Sequence, residues 1–246
     1  MKVTFTLYEK NGFVNTSEIF ESRTNNRNDY SSDEIFANFR EVEIGNIKKN
    51  ILYRSSSPIN PAYNRNNYVD ELSKNANINT FINLAEDSSV AENYPNFNQT
   101  YYASKNIYYS PLPIDFASEE FEIGIKKTLN IFLNDNYQAP YLIHCTEGMD
   151  RTGFIISLLS YLSNADYEET YEDYHLSYVN YFLDPDFNKY ESFIENTYQS
   201  VLIKVFSYVI PNYSFDKTNL NEIAKQYVLS LGFSKEELDA IIDKLT

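Results

Sequence analysis

The chain has 246 residues, of which 43% are hydrophobic, and this length and composition suit one α/β domain with additions and exclude wholesale disorder. Its formal net charge of −15 argues against nucleic acid or an anionic membrane surface as a partner. No apolar stretch approaches the ~20 residues that a membrane span needs, so no membrane insertion is expected, and the single cysteine excludes an internal disulfide.

The N-terminal segment differs in pattern from the rest of the chain. Residues 2–8 alternate apolar and polar side chains and predict a strand, and residues 9–12 predict a turn after it. Residues 22–32 are rich in Arg, Asn, Asp and Ser and predict a polar linker. We therefore predict an N-terminal segment over 1–34, which fits the end of a neighbouring domain in a longer protein, and a main domain over 35–246. A native start at the first methionine predicts a cytoplasmic protein, whereas an excised fragment leaves secretion open.

From residue 35 onward the patterns alternate as in an α/β fold with a central, mostly parallel sheet flanked by helices. Strands are predicted at four places: 51–54, 80–84, 107–112 and 141–144. Helices are predicted over seven ranges, which make the C-terminal third helical: 66–76, 118–135, 153–163, 167–182, 187–210, 217–229 and 234–245. Ser118 is a predicted N-cap, and Ser234 with Glu237 predicts a capping box.

One segment, His144 to Gly153, combines the only cysteine with an arginine six positions later. A short loop from a buried strand into a helix can surround a phosphate with backbone N–H groups at the helix N-terminus. We therefore predict a phosphate-binding loop of Thr146, Glu147, Gly148, Met149, Asp150 and Arg151. The planar fork of Arg151 would bind two phosphate oxygens, and Cys145 would lie below the phosphorus atom.

The same positive field favours the thiolate form of Cys145, the form that acts as a nucleophile. Gly148 lies where the loop needs a permissive backbone. Thr152 places a hydroxyl next to the arginine, where it could steady the sulfur. With two histidines, one cysteine and no paired metal spacing, we expect no metal site and no cofactor.

This segment resembles the signature loop of the protein tyrosine phosphatase superfamily, His-Cys-x5-Arg-Thr/Ser-Gly, and more narrowly a bacterial tyrosine/lipid phosphatase branch with HCTAGKDRTG. Other segments are similar to that branch: Phe39-Arg40, Leu52 to Ser56, Asp173 to Ser177, and Leu231 to Leu238. The resemblance covers about residue 36 to the C-terminus and implies a three-layer tyrosine-phosphatase-like fold. Glu147 and Met149 depart from the branch, which usually has Ala and Lys there. Because that lysine is associated with phosphoinositide handling, lipid substrates are disfavoured.

A phosphatase of this type needs a proton donor for the leaving group. Asp115 lies 30 residues before the cysteine, in a Pro-containing connection that resembles the general-acid loop of tyrosine phosphatases. Asp150 lies inside the loop itself, and the branch with Asp at that place suggests a proton donor or a group that orients water. The alternative roles are a solvated turn for Asp115 and an ion pair with Arg151 for Asp150, so both candidates stay open.

Supporting roles are predicted for residues around the loop. His144 is expected to be buried at the strand end and to help hold the thiolate, while His175 is expected to be structural. Arg54 could pair with an acidic residue to brace the site, and Asp87 is one candidate for that partner. Asp173 and Tyr174 are two further residues that could brace the loop from behind.

Together these features predict a metal-independent phosphomonoesterase that works through a cysteinyl-phosphate intermediate on phosphotyrosine or phosphoprotein substrates. Alternatives that the sequence leaves open are a phosphoinositide or inositol-phosphate phosphatase, a catalytically silent phosphate-binding module, and a redox or sulfur-transfer enzyme that uses the same cysteine. The expected partner is a phosphorylated protein or a small phosphomonoester. The sequence does not decide the oligomeric state.

Overall fold

The computed structural model describes residues 6–9, 12–15, 24–182, 190–210 and 213–246, with backbone alone for the first two ranges. The predicted strand over residues 2–8 lies partly outside the described residues; its described part belongs to β1, which pairs with β2 in an antiparallel ladder. Residues 10 and 11 of the predicted turn, residues 22 and 23 of the predicted linker and residues 187–189 of a predicted helix also lie outside the described residues.

The described strands are β1 (Thr6–Glu9), β2 (Gly12–Asn15), β3 (Arg40–Glu41), β4 (Leu52–Ser55), β5 (Thr80–Asn83), β6 (Asn106–Tyr109) and β7 (Tyr141–His144). They form this hairpin and one five-stranded sheet of order β3-β4-β7-β5-β6. Four strands of the sheet are parallel, and β3 runs antiparallel to β4 at one edge. The mostly parallel sheet confirms the predicted fold class.

The predicted helices are present with shifts of a few residues at their ends. Two short helices, Asp33–Ala37 and Ser88–Ala91, and the two-residue strand β3 have too little sequence pattern to be predicted. The predicted helix over 118–135 ends at Leu129 and continues as a 3-10 turn, Asn130–Leu133. The described α-helices are α1 (Asp33–Ala37), α2 (Asn66–Asn75), α3 (Ser88–Ala91), α4 (Glu119–Leu129), α5 (Asp150–Leu162), α6 (Tyr167–Tyr181), α7 (Glu191–Val209), α8 (Leu220–Ser230) and α9 (Lys235–Leu245).

Alternation of side chains along the strands produces the three layers. On one face of the sheet, Leu52, Ile82 and Ile143 pack against α4, α5 and the C-terminal helices. On the other face, Tyr53, Phe81 and Leu142 pack against α2 and the segments around it. Because parallel strands are covered on both faces, their sequences are continuously apolar rather than alternating.

Several local signals determine where the helices begin. The hydroxyl of Ser118 accepts from the Phe121 N–H at 3.1 Å and caps α4, as predicted. Ser234 and Glu237 form the predicted capping box at the start of α9. Within the part of the chain that the structure describes, no helix is both long and apolar enough to cross a bilayer.

The segment before the sheet packs onto the domain. The side chain of Tyr30 is 5% exposed, and its hydroxyl donates to the Tyr181 carbonyl at 3.2 Å. The guanidinium of Arg65 binds both the Thr24 carbonyl and the Tyr30 hydroxyl. The described part of the predicted polar linker is therefore an ordered part of this surface, since buried polar bonds hold it there.

Candidate active site

The cysteine lies at the carboxyl edge of the sheet, where β7 ends and the loop to α5 begins. In open α/β sheets this edge is where ligands bind, because the loops after neighbouring parallel strands meet there. His144 pairs with Ser55 of β4 on one side and with Asn83 of β5 on the other. The next residue, Cys145, is 4% exposed, and the Gly148 N–H donates to its Sγ at 3.3 Å.

In the phosphate loop, residues 145–151, the Gly148 amide points at the sulfur. The first N–H groups of a helix have no acceptor within the helix, and α5 begins inside the loop at Asp150. Among the described residues, no protein acceptor binds the N–H groups of Thr146, Met149, Asp150 or Arg151. Unpaired amides together with the positive end of the helix dipole form an anion site.

Gly148 is required by the backbone geometry of the loop. Its φ is +72°, in the left-handed region, and a Cβ on this residue would lie 2.2 Å from the Ser55 carbonyl oxygen. The loop also bonds to the segment after β4, since the Ser57 N–H donates to the Thr146 carbonyl at 3.1 Å. The loop therefore packs directly on backbone, with no room for a side chain at this position.

The guanidinium of Arg151 is held in place by protein oxygens on two sides. Its Nη1 donates to the carbonyls of Leu84 and Leu112, at 3.1 and 3.2 Å, and its Nη2 donates to Thr146 Oγ1 at 3.1 Å. These carbonyls follow β5 and β6, so the sheet itself orients the arginine. A guanidinium fixed in this way is preorganised for oxyanion binding.

A cavity of about 270 Å³ opens above the sulfur. Most of its lining belongs to the phosphate loop. Three residues from other loops complete the wall, and two of them come from the loop between β6 and α4. These three residues are Tyr63, Ile114 and Phe116.

The two candidate acids occupy different environments. Asp150 lines the cavity, and its Oδ1 accepts from the hydroxyls of Tyr174 and Tyr178 at 2.9 and 3.1 Å. Burial raises the pKa of both tyrosines well above its usual value, so both hydroxyls keep their protons and donate. Asp115 is exposed and does not line the cavity; its Oδ1 accepts from the Ala117 N–H at 3.1 Å in a local turn.

The ion pair considered between Asp150 and Arg151 is not formed within the described residues. The guanidinium bonds to carbonyl oxygens and a threonine hydroxyl instead. The reason is the direction of the two side chains: Asp150 meets the tyrosines of α6, whereas Arg151 meets the loops that follow β5 and β6.

His144 is fully buried at the end of β7, as expected. Burial lowers its pKa to about 3, so the ring is neutral at physiological pH. Its Nδ1 lies 3.4 Å from the Cys145 carbonyl oxygen, and its ring packs edge-on against Tyr102 with centroids 5.6 Å apart. A neutral, buried imidazole packs behind the nucleophile and is not placed to act as a mobile base.

The predicted role of Thr152 at the sulfur is not observed. Its side chain is fully buried, and its hydroxyl has no hydrogen-bond partner in the described structure. Gly148, rather than Thr152, donates to Cys145 Sγ. Thr152 lies within α5, and the donor to the sulfur comes from the loop before the helix.

The predicted pairing of Arg54 with Asp87 is wrong. Asp87 caps α3, where its Oδ1 accepts from the Val90 N–H at 3.1 Å. Arg54 is instead fully buried and binds the carboxylate of Asp173 on α6. Arg54 lies behind the phosphate loop, where its Nη2 donates to the Gly148 carbonyl at 2.7 Å, and α6 rather than the loop after β5 supplies its counter-charge. This contact agrees with the bracing position predicted for Asp173.

Sequence reasoning gave no site role to several residues that contact the loop. Asn38 binds the Glu147 carbonyl of the loop, and Arg40 binds Asp173 behind it. Tyr63 and Phe116 line the cavity. Arg40 was part of the motif resemblance, and that was the only signal for it. The others have no local pattern, since their role depends on contacts with distant segments. Tyr178 is a similar case, one helical turn after Tyr174.

The fold and this loop define an α/β protein with a site of anion-binding geometry at the carboxyl edge of its sheet. The chain belongs to the tyrosine phosphatase family, whose model matches residues 34–246. It is therefore a phosphatase of the tyrosine phosphatase type, a hydrolase that acts on phosphorylated substrates. Among curated proteins, none matches this chain.

Two solved structures are similar to part of the chain. One is the core catalytic domain of the PP-IP phosphatase Siw14 from S. cerevisiae in complex with citrate, with 21% identity over 71% of this chain and 94% of that one and a TM-score of 0.40. The other is the Siw14 catalytic core, with 23% identity over 77% of this chain and 90% of that one and a TM-score of 0.39.

Proposed function

We propose that this chain is a metal-independent phosphomonoesterase that works through a cysteinyl-phosphate intermediate, with Cys145 as the nucleophile. The observation that supports it most is the position of Sγ at the base of a cavity ringed by unpaired amides. Arg151 is held on the wall of the same cavity by the Leu84 and Leu112 carbonyls. Preorganised donors of this type stabilise the charge of a phosphoryl transition state.

In the first step the sulfur of Cys145 forms a bond to phosphorus while the bond from phosphorus to the ester oxygen breaks. The departing oxygen takes a proton from a carboxylic acid. In the second step water attacks phosphorus, gives a proton to the same carboxylate and releases inorganic phosphate. The sulfur leaves as a thiolate, so the enzyme returns to its starting state.

We propose Asp150 as the proton carrier in both steps. It lines the cavity, and both tyrosine bonds are made to Oδ1, which leaves Oδ2 without a protein partner in the described structure. A carboxylate anchored through one oxygen has its second oxygen available for substrate or water. Asp115 remains the alternative, since it follows Ile114 on the loop that borders the cavity.

The lining of the cavity favours one phosphate on an apolar or aromatic group. Tyr63, Ile114 and Phe116 supply apolar surface, and Ile114 is 80% exposed at the rim. Arg151 is the only cationic side chain among the described lining residues, whereas Glu147 and Asp150 are acidic. Acidic neighbours repel substrates with several phosphates, so phosphotyrosine in a protein is the proposed substrate class.

Replacing Cys145 with Ser tests the chemistry. We expect turnover of an aryl phosphate to fall to the background rate while binding of inorganic phosphate or vanadate persists, because the amides and Arg151 stay in place. Mass spectrometry after an acid quench of the wild type should detect phosphocysteine. Undiminished turnover by the Ser variant would contradict the proposal, and wild-type binding without turnover would indicate a silent phosphate-binding module.

A substrate panel tests specificity separately. Purified protein is assayed for phosphate release from a phosphotyrosine peptide, a phosphothreonine peptide, phosphoinositides and inositol hexakisphosphate. We expect the highest kcat/KM for the phosphotyrosine peptide, because its ring fits the apolar wall and it has a single phosphate. A higher value for the inositol phosphates would reverse the substrate assignment without affecting the cysteine mechanism.

A further inference from the structure

We propose that a buried network behind the phosphate loop, made of Asn38, Arg40, Arg54 and Asp173, turns the loop carbonyls outward and thereby aims the loop amides at the phosphate. These four are positioning residues: they act on the substrate through the loop and do not contact it. The inference rests on the proposed function, since it explains how that anion site is kept in shape.

Two of the four residues bind loop carbonyls directly. Arg54 Nη2 donates to the Gly148 carbonyl at 2.7 Å and to the Met149 carbonyl at 3.4 Å. Asn38 Nδ2 lies 3.3 Å from the carbonyls of both Glu147 and Gly148. Three consecutive carbonyls of the loop therefore bond to donors on the side away from the cavity.

Because the peptide bond is planar, the direction of each loop carbonyl also sets the direction of the next residue's N–H group. In a trans peptide the carbonyl of one residue and the N–H of the next point in opposite directions. Outward carbonyls at residues 147–149 therefore turn the N–H groups of residues 148–150 inward. The Gly148 N–H does point inward, since it donates to Cys145 Sγ at 3.3 Å. The N–H groups of Met149 and Asp150 have no protein acceptor among the described residues.

Asp173 on α6 holds the two arginines of the network. Its carboxylate binds Arg54 Nη1 and, at 2.7 Å, Arg40 Nε. Arg40 in turn donates from Nη1 to Asn38 Oδ1 at 2.7 Å, which leaves the Asn38 amide group facing the loop. Ser177, one helical turn later, accepts from Arg40 Nη2 at 2.8 Å. The network therefore joins β3, β4, α1 and α6 to one loop.

The net charge of the network also favours an anion in the cavity, on the opposite side of the loop. Burial alone would raise the pKa of Asp173, but the guanidinium groups of Arg54 and Arg40 outweigh it and hold that pKa below its usual value. Burial lowers the pKa of Arg40 to about 10, which keeps it protonated at neutral pH. Two cations face one carboxylate, so the buried group has an excess of one positive charge behind the loop. The side chains are 0 to 14% exposed, so this charge is weakly screened.

Asn38→Gly is the sharpest test of positioning. Asn38 has φ +50°, and glycine adopts that conformation without strain. The substitution therefore removes the side-chain donor and leaves the backbone intact. Asn77→Gly is the matched control, because Asn77 also has a positive φ of +54° and lies exposed after α2. Arg54→Lys is the second variant, since it keeps the charge and loses the fork that joins Asp173 to the loop.

Each change is made in the Cys145→Ser background for tungstate binding by calorimetry, and in the active protein for kcat/KM on an aryl phosphate. We expect Asn38→Gly to weaken tungstate binding about tenfold and Arg54→Lys by at least as much, while Asn77→Gly binds as the parent does. Asn38 is fully buried and bonded to Arg40, so its variant should melt below the Asn77 variant, and binding is compared at a temperature where both proteins are folded. Should Arg54→Lys fail to fold, Asn38→Gly decides alone.

Equal tungstate affinity in the Asn38 and Asn77 variants would overturn the positioning role. Parent-like affinity in Arg54→Lys would overturn it too, since charge without the fork would then suffice. A wild type that neither binds tungstate nor hydrolyses aryl phosphate would instead refute the proposed function itself. The two failures are therefore distinguished by the behaviour of the wild type.

Discussion

Gly148→Ala is the substitution for which the structure predicts the largest effect from a single methyl group. The added Cβ would lie 2.2 Å from the Ser55 carbonyl oxygen and 2.7 Å from the Ser56 nitrogen. Both are backbone atoms, so no side-chain rotation relieves the contact. Ordinary contact begins at 3.4 Å, so the loop must retreat from β4 by about 1 Å.

Displacement of this size acts on the reacting geometry directly. The Gly148 N–H donates to Cys145 Sγ, so its movement shifts both the sulfur and the amides around it. A misplacement of about 1 Å typically reduces catalysis by roughly 10²-fold. The left-handed backbone adds a conformational cost of about 1–2 kcal/mol for a residue with a Cβ. We therefore expect kcat/KM to fall about a hundredfold and the melting temperature to drop by several degrees.

Gly232→Ala is the control that separates the steric clash at Gly148 from the conformational cost of a left-handed backbone. Gly232 has φ +89° in the turn between α8 and α9. Apart from its chain neighbours, the one described atom within 4 Å of a Cβ there is the flexible Lys126 Nζ, at 3.2 Å. This control should lose stability through its backbone alone and keep its activity. The assay is kcat/KM on an aryl phosphate together with thermal unfolding of both variants. If Gly148→Ala keeps kcat/KM within about threefold of the wild type, the steric reasoning is refuted.

Two further predictions concern protons. Asp150→Asn should reduce kcat strongly on a phosphate ester with a poor leaving group and spare one with a good leaving group, whereas Asp115→Asn should have little effect on either; the reverse pattern would make Asp115 the acid. Because the folded-state pKa of His144 is depressed to about 3, its share of stability is complete above pH ~6.5 and is lost as pH falls toward 3. Urea unfolding between pH 6.5 and 4.5 should therefore show a decline of about 2–3 kcal/mol that His144→Gln reduces; equal slopes in the two proteins would contradict it.

Local sequence was enough to predict the framework of the site. The strands β4, β5 and β7 are apolar runs with turn signals at their ends, and their parallel order follows from alternation with helices. The spacing of Cys145, Gly148 and Arg151 predicted the phosphate loop, because the strand, the loop and the start of α5 are contiguous. Chemical roles that depend on residues close together in the sequence can therefore be predicted from the sequence.

The mistakes arose where a role depends on contacts between distant segments. Asp87 is closer to Arg54 in the sequence than Asp173 is, yet Arg54 pairs with Asp173, 119 residues further along. Thr152 follows Arg151 directly, but its hydroxyl is left without a partner inside α5. The packing of a helix determines which way each of its faces points, so spacing in the sequence does not fix the direction of a side chain.

The sequence by itself predicted Cys145 as the nucleophile, Arg151 as the phosphate-binding arginine, the strands around them and the family, since each depends on short-range pattern. Only the tertiary structure decided which donors bind the loop carbonyls, which tyrosines bind Asp150 and which residues line the cavity. Those residues come from the end of α1, from β4 and α6, and from three separate loops. Their distances are set by the packing of whole layers, a long-range property that one-dimensional spacing does not contain.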